Sequence, residues 1–151
     1  MKTAYIELNT TNQIHTLSSK DSADSFVYLG IYMFPSTKVT SLNDILSRDF
    51  DYFIIDMGVL TNYTAKEFSK CQKQFLICSF CEWKKRNSLE KIQNLFQENI
   101  LKEKDVILLK TFHNKSTNSV VFSRNTKNFP LLSNPFQLPV DVFSDLNNLL
   151  I

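Results

Sequence analysis

The residue best placed for chemistry in this sequence is a carboxylate at the end of an apolar run. Asp56 follows the run Tyr52 to Ile55, and a continuous apolar run of this kind is typical of a strand covered on both faces of a parallel sheet. Open α/β sheets place ligand sites at the carboxyl ends of such strands, where an Asp can orient magnesium. The alternative is that Asp56 only caps the next loop, Met57 to Asn62, and we favour this role for the present-day protein.

The glycine content excludes the usual phosphate-binding loops. A GxxxxGK loop needs two glycines five positions apart and a dinucleotide fingerprint needs three, whereas the only glycines are Gly30 and Gly58. The backbone nest that usually holds nucleotide phosphates is therefore missing, and we expect no nucleotide cofactor.

The cysteines and histidines do not form a recognisable site. Cys78 and Cys81 have CxxC spacing, but a structural zinc ion needs four ligands, and Cys71, His15 and His113 are not at paired spacing. A hydrolase with a G-x-S-x-G elbow is also excluded. We expect ordinary semi-buried thiols, no metal and no catalytic residue.

A basic cluster follows the only tryptophan. Lys84, Lys85 and Arg86 come directly after Trp83, and they either contact a partner or form the solvated entry to a helix. The net charge of the chain is only +2, so no global field attracts nucleic acid. Nucleic acid is therefore not the expected partner, and binding of DNA or RNA by Lys84–Arg86, with an affinity that falls steeply with salt, is only a third and weaker hypothesis.

The elements that must position these residues alternate between strands and helices. The alternation predicts a mainly parallel sheet flanked by helices, in a three-layer Rossmann-like α/β fold. The predicted strands are Lys2–Leu8, Phe26–Met33, Tyr52–Ile55, Gln74–Phe80, Val106–Leu109, Ser119–Phe122 and Phe129–Leu132. The predicted helices are Ser41–Ser47 with Ser41 as N-cap, one running from Thr64 towards Lys73, one starting at Asn87 and one starting at Pro139.

Length and composition are those of one folded domain. The chain has 151 residues, of which 43% are hydrophobic and thirteen are Phe, so it can bury a substantial core. We expect a single domain over residues 1–151. No secretory signal is visible and no apolar stretch approaches the roughly 18 residues of a membrane helix, so we expect a cytoplasmic location and no membrane span.

The chain resembles the MinD/ParA-type P-loop ATPases. Asp51-Tyr52-Phe53-Ile54-Ile55-Asp56-Met57-Gly58 resembles their Walker B and switch region. Three further segments are similar to that family in the same order: Lys2–Asn9 to the strand after its first helix, Gln74–Ser79 with Glu82-Trp83 to its next core strand, and Asn134–Leu138 to the tail of bacterial members.

The resemblance implies a P-loop-less, non-catalytic relative. The family's P-loop strand and helix precede the strand that here starts at Lys2, so that unit is missing. Only Asp56 and Gly58 carry over, as a vestigial magnesium-side site, and Glu7 or Asn9 occupies the family's acidic position. The implied function is protein interaction or regulation in a bacterial system. Because the P-loop strand would lie beside Tyr52–Ile55, its absence either leaves that strand with an open edge or makes the sheet close up differently. We expect a protein partner or a second copy to cover an open edge, burying at least about 1,000 Å².

A second resemblance is to the response-regulator receiver domain. Asp56, Ser79 and Lys110 fall near its phosphoacceptor, hydroxyl and lysine positions. This alternative implies phosphorylation of Asp56 with Lys110 contacting the phosphoryl group. The acidic pair that receivers carry after the first strand is missing, because Asn9 and the polar residues after it stand there.

Overall fold

The computed structural model describes residues 1–18, 24–79, 82–111 and 126–128. The chain forms two compact units, Met1–Thr64 and Ala65–Ile151. Each unit contains a sheet with parallel strands and helical segments, so the α/β class is confirmed. The assignment of the whole chain to one domain stays a prediction.

From Ile31 to Thr111 the strands and helices alternate, as the sequence predicts. The strands are β1 (Thr3–Glu7), β2 (Phe26–Tyr28), β3 (Ile31–Phe34), β4 (Tyr52–Asp56), β5 (Gln74–Ser79), β6 (Val106–Thr111) and β7 (Thr126–Asn128). The α-helices are α1 (Val39–Leu46), α2 (Asn62–Phe68) and α3 (Glu82–Gln97), with short 3₁₀ helices at Gln13–Leu17 and Glu103–Asp105.

The sheet of the first unit has the order β2-β3-β1-β4. The central strand β1 pairs in parallel with β3 on one side and with β4 on the other. The single strand predicted over Phe26–Met33 is wrong, because β2 and β3 form an antiparallel hairpin. Its two-residue loop is Leu29 and Gly30, with φ of +49° and +81°. Positive φ at both loop positions is the type I′ geometry that suits the twist of a hairpin.

One face of this sheet carries the core of the first unit. Ala4 and Ile6 of β1 are fully buried there. Phe50 packs edge-on against Tyr32, Phe34 and Phe53, which lie on the same face, with ring centroids 5.1 to 6.1 Å apart. Aromatic pairs prefer this edge-to-face geometry.

The opposite face is only partly covered at β4. Tyr52 and Ile54 alternate with the buried-side residues of β4 and are 58% and 50% exposed. The expectation that β4 is covered on both faces is therefore wrong. The apolar run has the parallel pairing expected of it, but the run by itself does not report how much of each side chain another element covers.

Two of the helices in this region start earlier than predicted. Helix α1 follows Lys38, which makes no side-chain cap, so Ser41 is not the N-cap. At α2, the Thr64 backbone N–H donates to Thr61 Oγ1 at 3.2 Å, and the Thr61 N–H donates to Thr64 Oγ1 at 2.9 Å. This reciprocal pair is a capping box whose N-cap is Thr61, so Thr64 occupies the N3 position.

The sheet of the second unit has the parallel order β5-β6-β7. Helix α3 contacts β5, and its Ile92 and Leu95 are buried, as are Val106 and Leu108 of β6. The predicted start of α3 at Asn87 is wrong, because the helix begins at Glu82.

β7 lies where the sequence predicts a polar loop. The strands predicted at Ser119–Phe122 and Phe129–Leu132 and the helix from Pro139 lie outside the described residues.

Within the described ranges, none of the helices combines the length and apolar character needed to cross a membrane.

Candidate functional site

Two neighbouring parallel strands of the first unit, the central strand β1 and the end strand β4, end in carboxylates. Glu7 ends β1, Asp56 ends β4, and the two residues are direct partners in the parallel register. They therefore lie at the carboxyl edge of the sheet, where α/β proteins place ligands. This edge is the candidate site, and the loops around it decide what the two carboxylates can do.

Asp56 is held on both of its oxygens. The Tyr5 hydroxyl donates to Oδ2 at 2.9 Å, and the backbone N–H of Gly58 donates to Oδ1 at 2.9 Å. Burial raises the pKa of Tyr5, and the hydrogen bond to Asp56 raises it further, so the phenol stays protonated and remains a donor. The bond to Gly58 closes a turn of the kind that Asp side chains form with the backbone two residues on.

Gly58 is required at its position for two separate reasons. Its φ of +61° lies in the left-handed region, which favours glycine. A Cβ at this position would lie 2.9 Å from the Cβ of Asn9, too close for a real contact. The Asn9 side chain also donates to the Asp56 carbonyl at 3.4 Å. The loop after β4 is therefore packed closely against the loop after β1.

Glu7 anchors two loops from a buried position. Its side chain is only 1% exposed. Oε1 accepts the backbone N–H of Gln13 at 2.7 Å, and Oε2 accepts that of Ser36 at 3.3 Å. Thr37 N–H donates to the Glu7 carbonyl at 2.8 Å. A buried carboxylate needs such donors, and here they come from the segments that follow β1 and β3.

The same two loops are joined by a pair of residues with left-handed backbones. Asn12 has a φ of +53° and Ser36 a φ of +46°. The Ser36 hydroxyl donates to Asn12 Oδ1 at 2.8 Å. Non-glycine residues adopt this conformation at a cost of order 1 kcal/mol or more, so the surrounding bonds must hold them there.

A cavity of about 580 Å³ lies beside this edge, along α1. Phe34 and Ile45 line it, together with Lys38, Arg48 and Asp44. The Arg48 guanidinium lies 5.2 Å from the centre of the Phe34 ring. Because the lining carries both signs of charge, it does not define an anion or a cation site.

The donor groups at the edge do not assemble into a metal centre. Among the described residues there is no group of three or more His, Cys, Asp or Glu side chains that could hold a metal ion. Asp56 accepts hydrogen bonds from the Tyr5 hydroxyl and the Gly58 N–H, a geometry that fits a cap for the loop after β4, while its assignment as a vestigial magnesium-side residue stays a prediction.

The other predicted site residues lie in the second unit. Trp83, Lys84, Lys85 and Arg86 fall in the first turns of α3, so their backbone is helical rather than a loop before a helix.

Ser79 ends β5, and Lys110 lies on β6 opposite Cys78. Burial raises the pKa of the Cys78 thiol to about 11, and Cys78 is buried like a small apolar residue. Cys81 and His113 lie outside the described residues.

Sequence reasoning missed Tyr5 and understated Glu7. Strand alternation places Thr3, Tyr5 and Glu7 on one face, so the period of two was a usable signal. Finding their partners also needed the register with β4, which the sequence pattern does not contain.

Comparisons of the chain with known protein families, with curated proteins and with solved structures found no match.

Proposed function

We propose that this protein is a non-catalytic protein-interaction or regulatory module, derived from a MinD/ParA-type ATPase and without nucleotide hydrolysis. The observation that carries the proposal is β4, the end strand of its sheet, which displays Tyr52 and Ile54 half-exposed. An apolar end strand is a template for pairing with another chain. A three-layer Rossmann-like arrangement of the whole chain and a cytoplasmic location belong to the same proposal.

The state of Asp56 supports a structural rather than a magnesium-binding role. A residue that orients magnesium or its waters must turn its oxygens to the ion. Here the oxygens of Asp56 accept hydrogen bonds from the Tyr5 hydroxyl and from the Gly58 backbone N–H, and the nearby Asn9 side chain leaves no room for a Cβ at position 58. Rotating the carboxylate towards an ion would break the turn after β4 and leave the Tyr5 hydroxyl without its acceptor, whereas a ligand at the two remaining acceptor sites would leave both bonds in place.

Site-specific photo-crosslinking tests the interaction proposal. A benzophenone amino acid replaces Ile54 in the full chain expressed in its native cells, and the matched control carries it at Val59, which is 79% exposed in the loop after β4. We expect one protein to be captured from position 54 and not from position 59. The captured protein is then purified, and Ile54→Lys must weaken its binding at least tenfold. Equal capture from both positions, or no effect of Ile54→Lys, would contradict the proposal.

The receiver alternative has one observation in its favour, since Asp56 does end a parallel strand. It predicts that acetyl phosphate with magnesium adds a phosphoryl group to the chain, and that Asp56→Asn removes it. On the module proposal, the intact mass stays unchanged under the same conditions. A phosphoryl adduct mapped to Asp56 would reverse the order of the two proposals.

A further inference from the structure

The side of β4 that faces away from β1 has a defined hydrogen-bonding pattern. Toward β1, the Tyr52 N–H donates to the Lys2 carbonyl at 3.3 Å, and the Asp56 carbonyl accepts the Leu8 N–H at 2.8 Å. Alternate residues of a strand turn their backbone groups to the same neighbour. The backbone groups of Phe53 and Ile55 therefore point away from β1, and among the described strands β1 is the only partner of β4.

This pattern suits a second copy of the same strand in antiparallel orientation. If a two-fold axis passes beside Ile54, Phe53 of one copy lies opposite Ile55 of the other. These two residues then exchange both of their backbone hydrogen bonds, and the same occurs on the other side of the axis. Ile54 meets Ile54 of the second copy at a closely spaced, non-hydrogen-bonded position.

The side chains on the exposed face are complementary in the same register. Tyr52 of one copy lies opposite Asp56 of the other, again at a closely spaced position. A phenol donates and a carboxylate accepts, and the two oxygens of Asp56 offer about four acceptor sites, of which Tyr5 and Gly58 use two. Within the chain, Tyr5 already forms this type of bond with Asp56 at 2.9 Å.

We propose that two copies of this protein pair through β4 in antiparallel orientation, with Ile54 on the two-fold axis and Tyr52 hydrogen-bonded to Asp56 of the second copy. The inference rests on the proposed function, because it names the partner of the same strand. A two-fold interface of this kind is self-complementary, so it closes at two copies and leaves no further edge of β4 to extend. Pairing through one short strand buries little area, so the dimer is weak and is studied at high micromolar concentration.

Disulfide trapping tests whether the β4 strands of two copies are in contact and which residues lie opposite each other. In the full chain with Cys71, Cys78 and Cys81 replaced by Ser, Ala and Ser, Ile54→Cys is compared with Ile55→Cys and Val59→Cys under mild oxidation. Cα atoms at a non-hydrogen-bonded antiparallel pair are about 4.5 Å apart, within disulfide range. We expect Ile54→Cys to form linked dimers at least ten times faster than either control. Equal rates at the three positions would overturn the proposal.

Light scattering after size exclusion reads the association in the native sequence. We expect a monomer–dimer equilibrium, and we expect Ile54→Lys and Tyr52→Ala to be monomeric while circular dichroism confirms that they fold. A native chain that stays monomeric at high micromolar concentration overturns the dimer. If photo-crosslinking at position 54 then captures another protein, the interaction module stands and only the choice of partner is wrong.

Discussion

The Tyr5 hydroxyl donates a hydrogen bond to Asp56 Oδ2 across two neighbouring parallel strands, at 2.9 Å. The two residues are not direct register partners, since Tyr5 lies opposite Ile54 and Asp56 lies opposite Glu7. The Tyr5 side chain therefore reaches diagonally across the two strands, to the residue two positions beyond its direct partner. Tyr5 is part of the sheet and Asp56 begins the following turn, so this bond ties the loop after β4 to the central strand.

Tyr5→Phe removes this bond without changing the ring. We expect the free energy of unfolding to fall by about 1.5 kcal/mol near neutral pH, because the acceptor is a carboxylate. Urea unfolding measures the loss. Tyr63→Phe is the matched control, since Tyr63 is 66% exposed, and it should change stability little. Equal stability of the Tyr5→Phe variant and the native chain would show that water replaces the bond at no cost.

Tyr5 also predicts a dependence on alkaline pH. Its pKa is higher in the folded state than the ordinary value of 10.0, so the unfolded chain loses the phenol proton first as the pH rises. Stability from this group is therefore fully present below about pH 9 and falls above about pH 10. Between pH 8 and 10.5, we expect the native chain to lose about 0.8 kcal/mol more than Tyr5→Phe does. If both proteins lose the same amount of stability, the loss comes from titrating groups other than Tyr5.

Glu7→Gln tests the anchor of the two loops. The amide replaces one acceptor oxygen with a donor that faces the Gln13 or the Ser36 N–H. We expect a loss of about 2 kcal/mol, because a buried N–H is left without its acceptor. Hydrogen exchange should become faster at these two amides. Glu98→Gln is the exposed control, and an equal effect of the two substitutions would argue against an anchoring role.

Leu29 is an unfavourable residue type for its position in the turn between β2 and β3. It is 72% exposed and has a φ of +49°, a conformation that Asn adopts far more readily. Leu29→Asn creates the Asn-Gly pair favoured in type I′ turns, and we expect it to raise stability by about 0.5 to 1 kcal/mol. Val59→Asn is the control. It also replaces an exposed apolar residue with Asn, but without the gain that Asn brings at a positive φ. A destabilised Leu29→Asn variant would point to an unrecognised contact of the Leu29 side chain.

ATP with magnesium should neither raise the melting temperature nor be hydrolysed by this chain. The two glycines that a phosphate-cradling loop needs at close spacing are 28 positions apart, at Gly30 and Gly58. A ligand at a hundred times its dissociation constant would add roughly 2.7 kcal/mol of stability. Thermal unfolding with millimolar ATP measures this directly, and a shift of several degrees would disprove the prediction.

The sequence predicted the strands of the first unit better than their surroundings. The parallel pairing of Tyr52–Ile55 followed from its apolar run, because buried sheets need continuous apolar strands. Its half-exposed face did not follow, since exposure depends on which elements pack there. The β2–β3 hairpin was missed because Leu29 is apolar and lies within an apolar run, so the turn signal was reduced to Gly30 alone.

For the candidate site, residue type predicted the position of Asp56 but not its partners. A carboxylate at the end of a strand has the same local pattern whether it faces a metal ion or caps a turn. The distinction lies in Tyr5, which is about fifty positions earlier in the chain, and in the close approach of Asn9 to Gly58. Contacts at this separation depend on strand register, which no local pattern reports.

The central position of β1 also predicts an order of folding events. The β2–β3 hairpin closes across two residues and can form within microseconds. The partner β4, in contrast, lies about fifty residues further along the chain from β1. The entropy of closing this long loop must be lost before the β1 ladders can form, so we expect both ladders to form after the transition state. Conservative substitutions in β1, such as Ile6→Val, should therefore speed unfolding and leave refolding almost unchanged, which stopped-flow kinetics can measure.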